Sequence, residues 1–420
     1  MYNLINRLLL ISIFILPLLG ATNNLGYEQI KVLFFILSIS LISFVWILQK
    51  PKIKLSRIGW VSVLFIIILL LTSLLGIDFR GSFLGNIPYY QGLLIYSYLF
   101  LFYLIVSNFE IKLKYYALTL TASALIVSSL AIEDWILKNL GYLVPNYAGR
   151  VVSTFGQPNF YAGFLLLTLP FSYYLFKDST KKLSYFGLIC GFSLIIGIFV
   201  SYSRSTILLA LFLLSLALAD QLKIKFKKVL ITVGIGIILM SLILAFKYSS
   251  GIVGNQINIP ISTKNPDLTR QSVEQRVYIW PQFIKIAFDQ PIFGYGLENI
   301  NLSFKNYFEK NKHKIFEENL NIEPVLISLK DLTIDRTHNY TLDLLIFSGF
   351  SGVIIWLLLI ALLIKKCKNI YVLVGFLTYL IWIQFQNQSI IQLIYFWFLV
   401  GTIDKPINGQ NYISHPILSW

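Results

Sequence analysis

Long apolar stretches separated by short polar ones run along almost the whole chain. Stretches of about 15–25 apolar residues match the length a helix needs to cross a hydrocarbon core of about 30 Å. Twelve such spans are predicted, at 5–22, 28–49, 58–76, 91–107, 115–133, 159–176, 183–201, 205–220, 229–248, 339–364, 370–386 and 389–403. The fold class is therefore an all-α integral membrane protein with about 12 transmembrane helices. The first stretch, Leu8 to Gly20, lacks a cleavage site and is followed at once by another apolar segment, so it reads as a span and not as a removable signal peptide.

One interval breaks the rhythm. Residues 249–338, about 90 positions with roughly ten acidic and ten basic side chains, read as an exterior loop domain. It separates the first nine spans (1–248) from the last three and a cytoplasmic tail (339–420). Val273, Val277, Trp280, Ile284 and Ala287 recur at three- and four-residue intervals with Glu274, Lys285 and Asp289 off that stripe, which predicts an amphipathic helix lying flat on the membrane surface. In "DQPIFGYG", Pro291, Gly294 and Gly296 mark a turn, and "FKNYFEKNKHKIFEENLN" reads as a second, charged helix. There is no internal repeat.

Charge gives the spans a direction. The formal charge of +15 sits in short lysine clusters between spans: "KPKIKLSR" (Lys50 to Arg57), "EIKLK" (Glu110 to Lys114), "KDSTKK" (Lys177 to Lys182), "KIKFKK" (Lys223 to Lys228) and "KKCK" (Lys365 to Lys368). Every second loop is basic, and lysine-rich short loops face the cytoplasm. Both termini are then cytoplasmic. The exterior side receives "GIDFRGSFLGNIPYYQG", the region from Asp134 to Asn159, "SYSRS", the long interval and a tight turn at "QNQS". Charge that is used for orientation does not call for nucleic acid. A hydrophobic share of 57% and a mean hydropathy of +0.74 fit an integral membrane protein.

Several chemistries are disfavoured. Cys190 and Cys367 have no metal-ligand spacing and no plausible pairing. No D-x-D pattern occurs, and Asp331 and Asp335 carry no such spacing, so no metal and no cofactor are expected. The absence of a GxxxxGK loop speaks against ATP.

Ionisable groups at the outer ends of spans are where chemistry is affordable. Arg204 in "SYSRSTILLALFLL", Arg276 in "SVEQRVYIWPQF" and His338, one of only three histidines, in "DRTHNYTLDLL" all fall there. Plainer roles exist for each. Arg204 could snorkel at a helix end, Arg276 could belong to a solvated helix face, and His338 could pack beside a helix capped by Asp335 or Thr337.

The segments "STFGQPNFYAGFLLLTLP", "SYSRSTILLALFLL", "RVYIWPQFIKIAFDQPIFGYGLENI" and "RTHNYTLDLLIFSGFSGVIIW" resemble, in order and spacing, the O-antigen ligase and polymerase superfamily of bacterial envelope enzymes. The resemblance covers roughly residues 150 to 360 and is most specific in "RTHNYTLDLLIFSGFSG", a histidine–asparagine pair followed by a leucine-rich helix with spaced glycines. Members often carry a glutamate before the first of these glycines, where this chain has Phe347 and Ser348. The resemblance implies a GT-C-like fold in the bacterial cytoplasmic membrane. It implies glycan transfer from an undecaprenyl diphosphate carrier to a saccharide or lipid-glycan acceptor at the outer face. Arg204 and Arg276 would hold the diphosphate, because a guanidinium is a permanently charged fork that matches phosphate oxygens. His338 would take the acceptor proton, since a histidine of reference pKa about 6.5 suits a general base. Arg150, Asn159, Arg336 and Asn339 would line the cleft, Arg336 serving as a further phosphate contact or an interfacial anchor.

Two other functions stay open at this point. A polymerase would keep fold and donor and use a second lipid-linked repeat as acceptor. A flippase for lipid-linked oligosaccharides would place ionisable groups inside the spans and show related halves; here the spans are nearly free of charge and the halves differ.

The topology is directly testable. In a background with Cys190 and Cys367 replaced, a cysteine near Asn311 should react with an impermeant thiol reagent added outside, and one near Lys225 should be protected. The reverse pattern would put the histidine in the wrong compartment.

Overall fold

The computed structural model describes residues 2–50, 53, 55–109, 112–223, 280–318 and 334–404. The predicted span at 229–248, Arg276 and the first half of the predicted surface helix lie outside the described residues.

The described residues fold into helices with one two-stranded ribbon, Asn146–Tyr147 paired with Arg150–Val151. In chain order the helices are α1 (Tyr2–Ile15), α2 (Tyr27–Ile47), α3 (Arg57–Leu75), α4 (Phe79–Leu84), α5 (Leu93–Asn108), α6 (Leu113–Asn139), α7 (Pro158–Asp178), α8 (Lys181–Val200) and α9 (Arg204–Gln221). They continue with α10 (280–289), α11 (Ile300–Glu318), α12 (Tyr340–Lys366), α13 (Ile370–Trp382) and α14 (Ile390–Asp404). Six of them, α2, α3, α6, α8, α9 and α12, are long and apolar enough to cross a membrane. The chain is a mostly helical membrane protein.

Two helices form the centre. Fifteen of the 21 residues of α7 and every residue of α14 are buried, as expected of a helix that is apolar all round. Around them, α2, α3, α8 and α12 turn Leu37, Phe44, Leu74, Ile189, Phe192, Ile354 and Leu357 outward, a belt of large apolar side chains suited to lipid.

Because both faces of such helices are apolar, small and hydroxylated residues mark the packing side. On α6 the buried positions include Ala117, Thr121, Ala124, Ser128 and Ala131, and on α8 they include Gly187, Cys190 and Gly197. A Cβ on Gly187 would come within 2.6 Å of the Phe176 backbone nitrogen, so α7 and α8 touch backbone to backbone there. Gly163 of α7 gives its space to Trp382 of α13, whose Nε1 donates to Thr206 Oγ1 of α9 at 3.1 Å.

Polar contacts sort the helix ends into two groups. Asp404 at the end of α14 accepts from Ser56 (2.6 Å) and Tyr103 (2.7 Å) and pairs with Lys366 (2.6 Å), while Asp178 accepts from Tyr371 (2.6 Å) and Asp220 pairs with Lys177. These are the ends beside the basic loops. The opposite group holds the starts of α5, α7, α9, α12 and α14 and the end of α13, the ends that the loop alternation assigns to the exterior.

Two details differ from expectation. In α10 the buried face is Phe283, Ile286 and Ala287, whereas Ile284 and Phe288 are exposed, so the stripe is rotated from the predicted one. The helix is docked on protein through that face, as Trp280 donates to the Thr337 carbonyl at 2.7 Å. In addition α2 carries a buried Glu28 and a fully buried Lys31. Both serve as braces: Glu28 Oε2 accepts from the Ile390 amide at 2.7 Å, at the start of α14, and Lys31 Nζ donates to the Thr154 carbonyl at 2.6 Å.

The close approach of α7 and α13 gives a packing prediction. A Cβ at position 163 would lie 2.7 Å from Trp382 Cε2, so Gly163→Ala should destabilise by about 1–3 kcal/mol, the usual cost of overpacking. Thermal unfolding in detergent should show that combining it with Trp382→Leu costs clearly less than the sum of the two single losses. Strict additivity would mean the two positions do not press on each other.

Candidate functional site

Beginning at the strap 334–339, "IDRTHN", each residue has a distinct attachment. The Asp335 carboxylate accepts from the Tyr89 hydroxyl at 3.0 Å. Thr337 donates its amide (2.8 Å) and hydroxyl (2.7 Å) to Asp343 Oδ1 in the first turn of α12. Asn339 is the N-cap: its Oδ1 accepts from the Leu342 amide at 3.0 Å, the standard way to satisfy an orphan donor at a helix start. The cap is therefore Asn339, where Asp335 or Thr337 was the expectation, and its side chain is engaged inside the protein. Between these fixed neighbours His338 is half-buried and has φ +60°, a left-handed conformation that a non-glycine residue keeps only when its surroundings hold it.

Arg336 is not at the lipid interface. It is 6% exposed, paired with Glu298, and lies with its guanidinium 4.6 Å from the Tyr89 ring centre and 5.1 Å from that of Phe347. Burial alone would lower its pKa, but the Glu298 and Asp343 carboxylates hold it above the ordinary arginine range. It is a tether within the protein, in place of the phosphate contact or interfacial anchor expected of it. Burial, with Asp335 next, likewise pushes the Tyr89 phenol well above its usual range, so it stays a neutral donor.

Glu298 reaches Arg336 because α12 is broken. Gly349 has φ +60° and ψ −163°, which interrupts the helix. The freed carbonyls of Ile346 and Phe347 accept from the Tyr295 (2.8 Å) and Gly296 (2.9 Å) amides, and the Phe350 amide donates to the Pro291 carbonyl at 2.7 Å. The loop 291–299 thus replaces the missing helical bonds. Its glycines are required: Gly294 has φ +63°, and a Cβ there would come within 2.5 Å of the Ile346 carbonyl oxygen. What the sequence marks as a turn is a plug.

A second cluster lies at the start of α9. Arg204 is the first residue of that helix and is exposed, with no hydrogen bond or ion pair among the described residues. Arg150 Nε donates to the Ser201 carbonyl at 2.9 Å and its Nη2 to Asn159 Oδ1 at 2.8 Å. Burial first, and Arg204 among the nearby charges, hold Arg150 below its ordinary range. The cluster brings together Arg150, Asn159 and Arg204 beside a helix N-terminus, whose dipole adds positive potential. No carboxylate pairs with either arginine among the described residues. Positive charge at a helix N-terminus is the kind of environment that attracts anions.

The loop 383–389, "IQFQNQS", joins the clusters. Gln386 Nε2 donates to Ser205 Oγ at 2.7 Å, next to Arg204, and Asn387 Nδ2 donates to the Tyr89 hydroxyl at 2.8 Å, hence to Asp335 and the strap. The Ile383 carbonyl also accepts from the Tyr340 amide at 3.0 Å. Tyr89, Glu298 and this loop escape the sequence reading. The one available signal was four amide side chains, Gln384, Gln386, Asn387 and Gln388, within five residues of an otherwise apolar region. Among the described residues no group of three His, Cys, Asp or Glu side chains is placed to hold a metal ion.

Comparison with known proteins finds similarity across this region. The O-antigen ligase family model matches residues 189–357, a span that holds Arg204, Arg276, Glu298, Arg336 and His338. The ComP-specific O-oligosaccharyltransferase of Acinetobacter baylyi is 25% identical over 386 residues, covering 86% of this chain and 61% of the relative, so the chain spans about three fifths of that protein's length. A segment that matches the O-antigen ligase family thus lies across the centre of the chain, and an oligosaccharyltransferase is similar to it along most of its length.

Proposed function

We propose that the protein transfers a glycan from an undecaprenyl diphosphate carrier to an acceptor hydroxyl at the outer face of the cytoplasmic membrane. One observation carries the reading: an arginine pair, Arg204 exposed and Arg150 half-buried, without a carboxylate partner among the described residues is tied, through Gln386, Asn387, Tyr89 and Asp335, to the strap that holds His338.

The chemistry follows from the two ends. The acceptor oxygen attacks the anomeric carbon while the bond from that carbon to the diphosphate oxygen breaks. The diphosphate leaves with the electron pair, and His338 takes the acceptor's hydroxyl proton. Arg204, aided by the positive end of α9, neutralises the leaving group. Arg276 joins it by resemblance to the family. Arginines supply permanent charge, so the proposal uses no metal and no ATP.

The relative's name gives ComP as its target; for this chain the acceptor is assigned as a hydroxyl of a saccharide or lipid-glycan. Removing the gene distinguishes the two branches of the superfamily. Long chains accumulating on the carrier indicate a ligase, and single repeats indicate a polymerase.

The base has a sharp test. His338→Gln and His338→Asn should fold and bind donor but lose transfer by about 10²–10⁴-fold, the usual contribution of general acid–base catalysis, while His313→Ala should be nearly silent. Equal activity of the His338 and His313 variants, on purified protein with a lipid-linked donor, would reject the catalytic role. Arg204→Ala and Arg276→Ala should abolish or greatly weaken transfer, and lysine should rescue only in part because it loses the bidentate fork. Full activity in both alanine variants would make them anchors.

The buried ion pair makes a different forecast. Arg336→Met or Glu298→Leu alone strands a charge and should cost about 3–5 kcal/mol, whereas the double variant should recover much of that loss. Equal destabilisation by the double variant and the sum of the singles would show that the pair is not coupled.

A further inference from the structure

The loop 383–389 contains more hydrogen-bonding capacity than the protein uses. Gln386, Asn387 and Gln388 are 7%, 4% and 5% exposed. Each is bonded at one end of its amide only. Gln386 Oε1, Asn387 Oδ1 and Gln388 Nε2 are buried with no hydrogen-bond partner among the described residues, while Gln388 Oε1 accepts from the Tyr379 hydroxyl at 2.6 Å. A buried amide atom left unpaired is costly, and three in successive residues call for an explanation.

Their chemistry narrows the partner. Tyr89 has one O–H, which it gives to Asp335, so toward Asn387 it can only accept. That fixes the Asn387 amide with its nitrogen on Tyr89 and its oxygen spare. Two spare acceptors and a spare donor in successive residues do not suit a phosphate, which only accepts, or a lipid chain, which does neither. A sugar hydroxyl does both. Position narrows it further, because Gln386 rests on Ser205, the residue after Arg204, and Asn387 is linked through Tyr89 to the strap of His338.

We propose that Gln386, Asn387 and Gln388 form the subsite for the first sugar of the carrier-linked glycan, the one attached to the diphosphate. The inference rests on the proposed function and names the residues that read its donor. They grip the ring next to the breaking bond, between the arginine that holds the leaving group and the histidine that takes the proton.

The experiment compares two ligands on purified full-length protein: bare undecaprenyl diphosphate, and the same carrier bearing one N-acetylhexosamine. Wild-type protein should bind the sugar-bearing carrier at least about tenfold more tightly, the sort of ratio a hydrogen-bonding site achieves against a ligand lacking its hydroxyls. Asn387→Leu and Gln386→Met, which keep shape without the amide, should each lose most of that preference while binding the bare carrier within about twofold of wild type. The two variants touch different neighbours, so misfolding of one leaves the other to decide. Retention of the preference in a folded variant overturns the proposal, as does an equal loss for both ligands. A wild-type protein that prefers neither carrier overturns it too. If the variants lose the preference but wild-type protein transfers to no acceptor, the subsite stands and the transferase reading falls.

Discussion

Within a hydrocarbon core a backbone group that loses its helical partner must find another inside the protein, at a cost of several kcal/mol if it does not. That constraint governs this molecule, because α12 breaks at Gly349. The bonds from Tyr295 and Gly296 to Ile346 and Phe347, and from Phe350 to Pro291, make loop and helix obligatory partners. The loop packs on α3 by the same contact, as the Tyr295 carbonyl also accepts from the Ile77 amide at 3.1 Å. Once seated, it carries Glu298 to Arg336, and the strap before α12 has no freedom to drift.

The arginines divide by what surrounds them. Arg336 is buried, flanked by two aromatic rings and matched by a carboxylate, so its charge is consumed by the fold. Removing a charge of that kind is expensive, but a ligand gains nothing from it. Arg150 and Arg204 face each other's field without a matching carboxylate among the described residues, and Arg150 is held by a carbonyl and an amide oxygen, which orient a guanidinium without neutralising it. Their charge is left unbalanced by the described residues. Side-chain type alone does not tell these two uses of arginine apart; the presence of Glu298 does.

Span positions were legible because length and apolarity are local properties: the spans expected at 58–76 and 339–364 are the helices Arg57–Leu75 and Tyr340–Lys366. Buried faces were not, since lipid and protein both accept Leu and Ile. The stripe drawn through Ile284 fails for that reason, and Gly163, Gly187 and Gly197 mark the contacts instead. At the site, Arg204 and Asn159 were visible as polar groups at helix ends and Arg150 as a charge in the exterior segment before a span. The partner of Arg336 was hidden because Glu298 is 38 residues away and is reached only through the broken helix. The loop at 383–389 looked like a tight turn because nothing in its own residues shows that Ser205 and Tyr89, which are 181 and 298 residues from Gln386 and Asn387, come to meet it.

His338 shows why so much structure surrounds one side chain. A left-handed non-glycine residue costs about 1–3 kcal/mol and persists only where its neighbours determine it. Here they do: Arg336 and Thr337 are fixed on one side by Glu298 and Asp343, and Asn339 on the other by its cap on α12. The left-handed backbone is the form that these fixed neighbours impose on the strap. Where a segment's neighbours fix its backbone, ordering it draws nothing from binding energy, and a side chain on such a connecting segment is as well positioned as one on a helix.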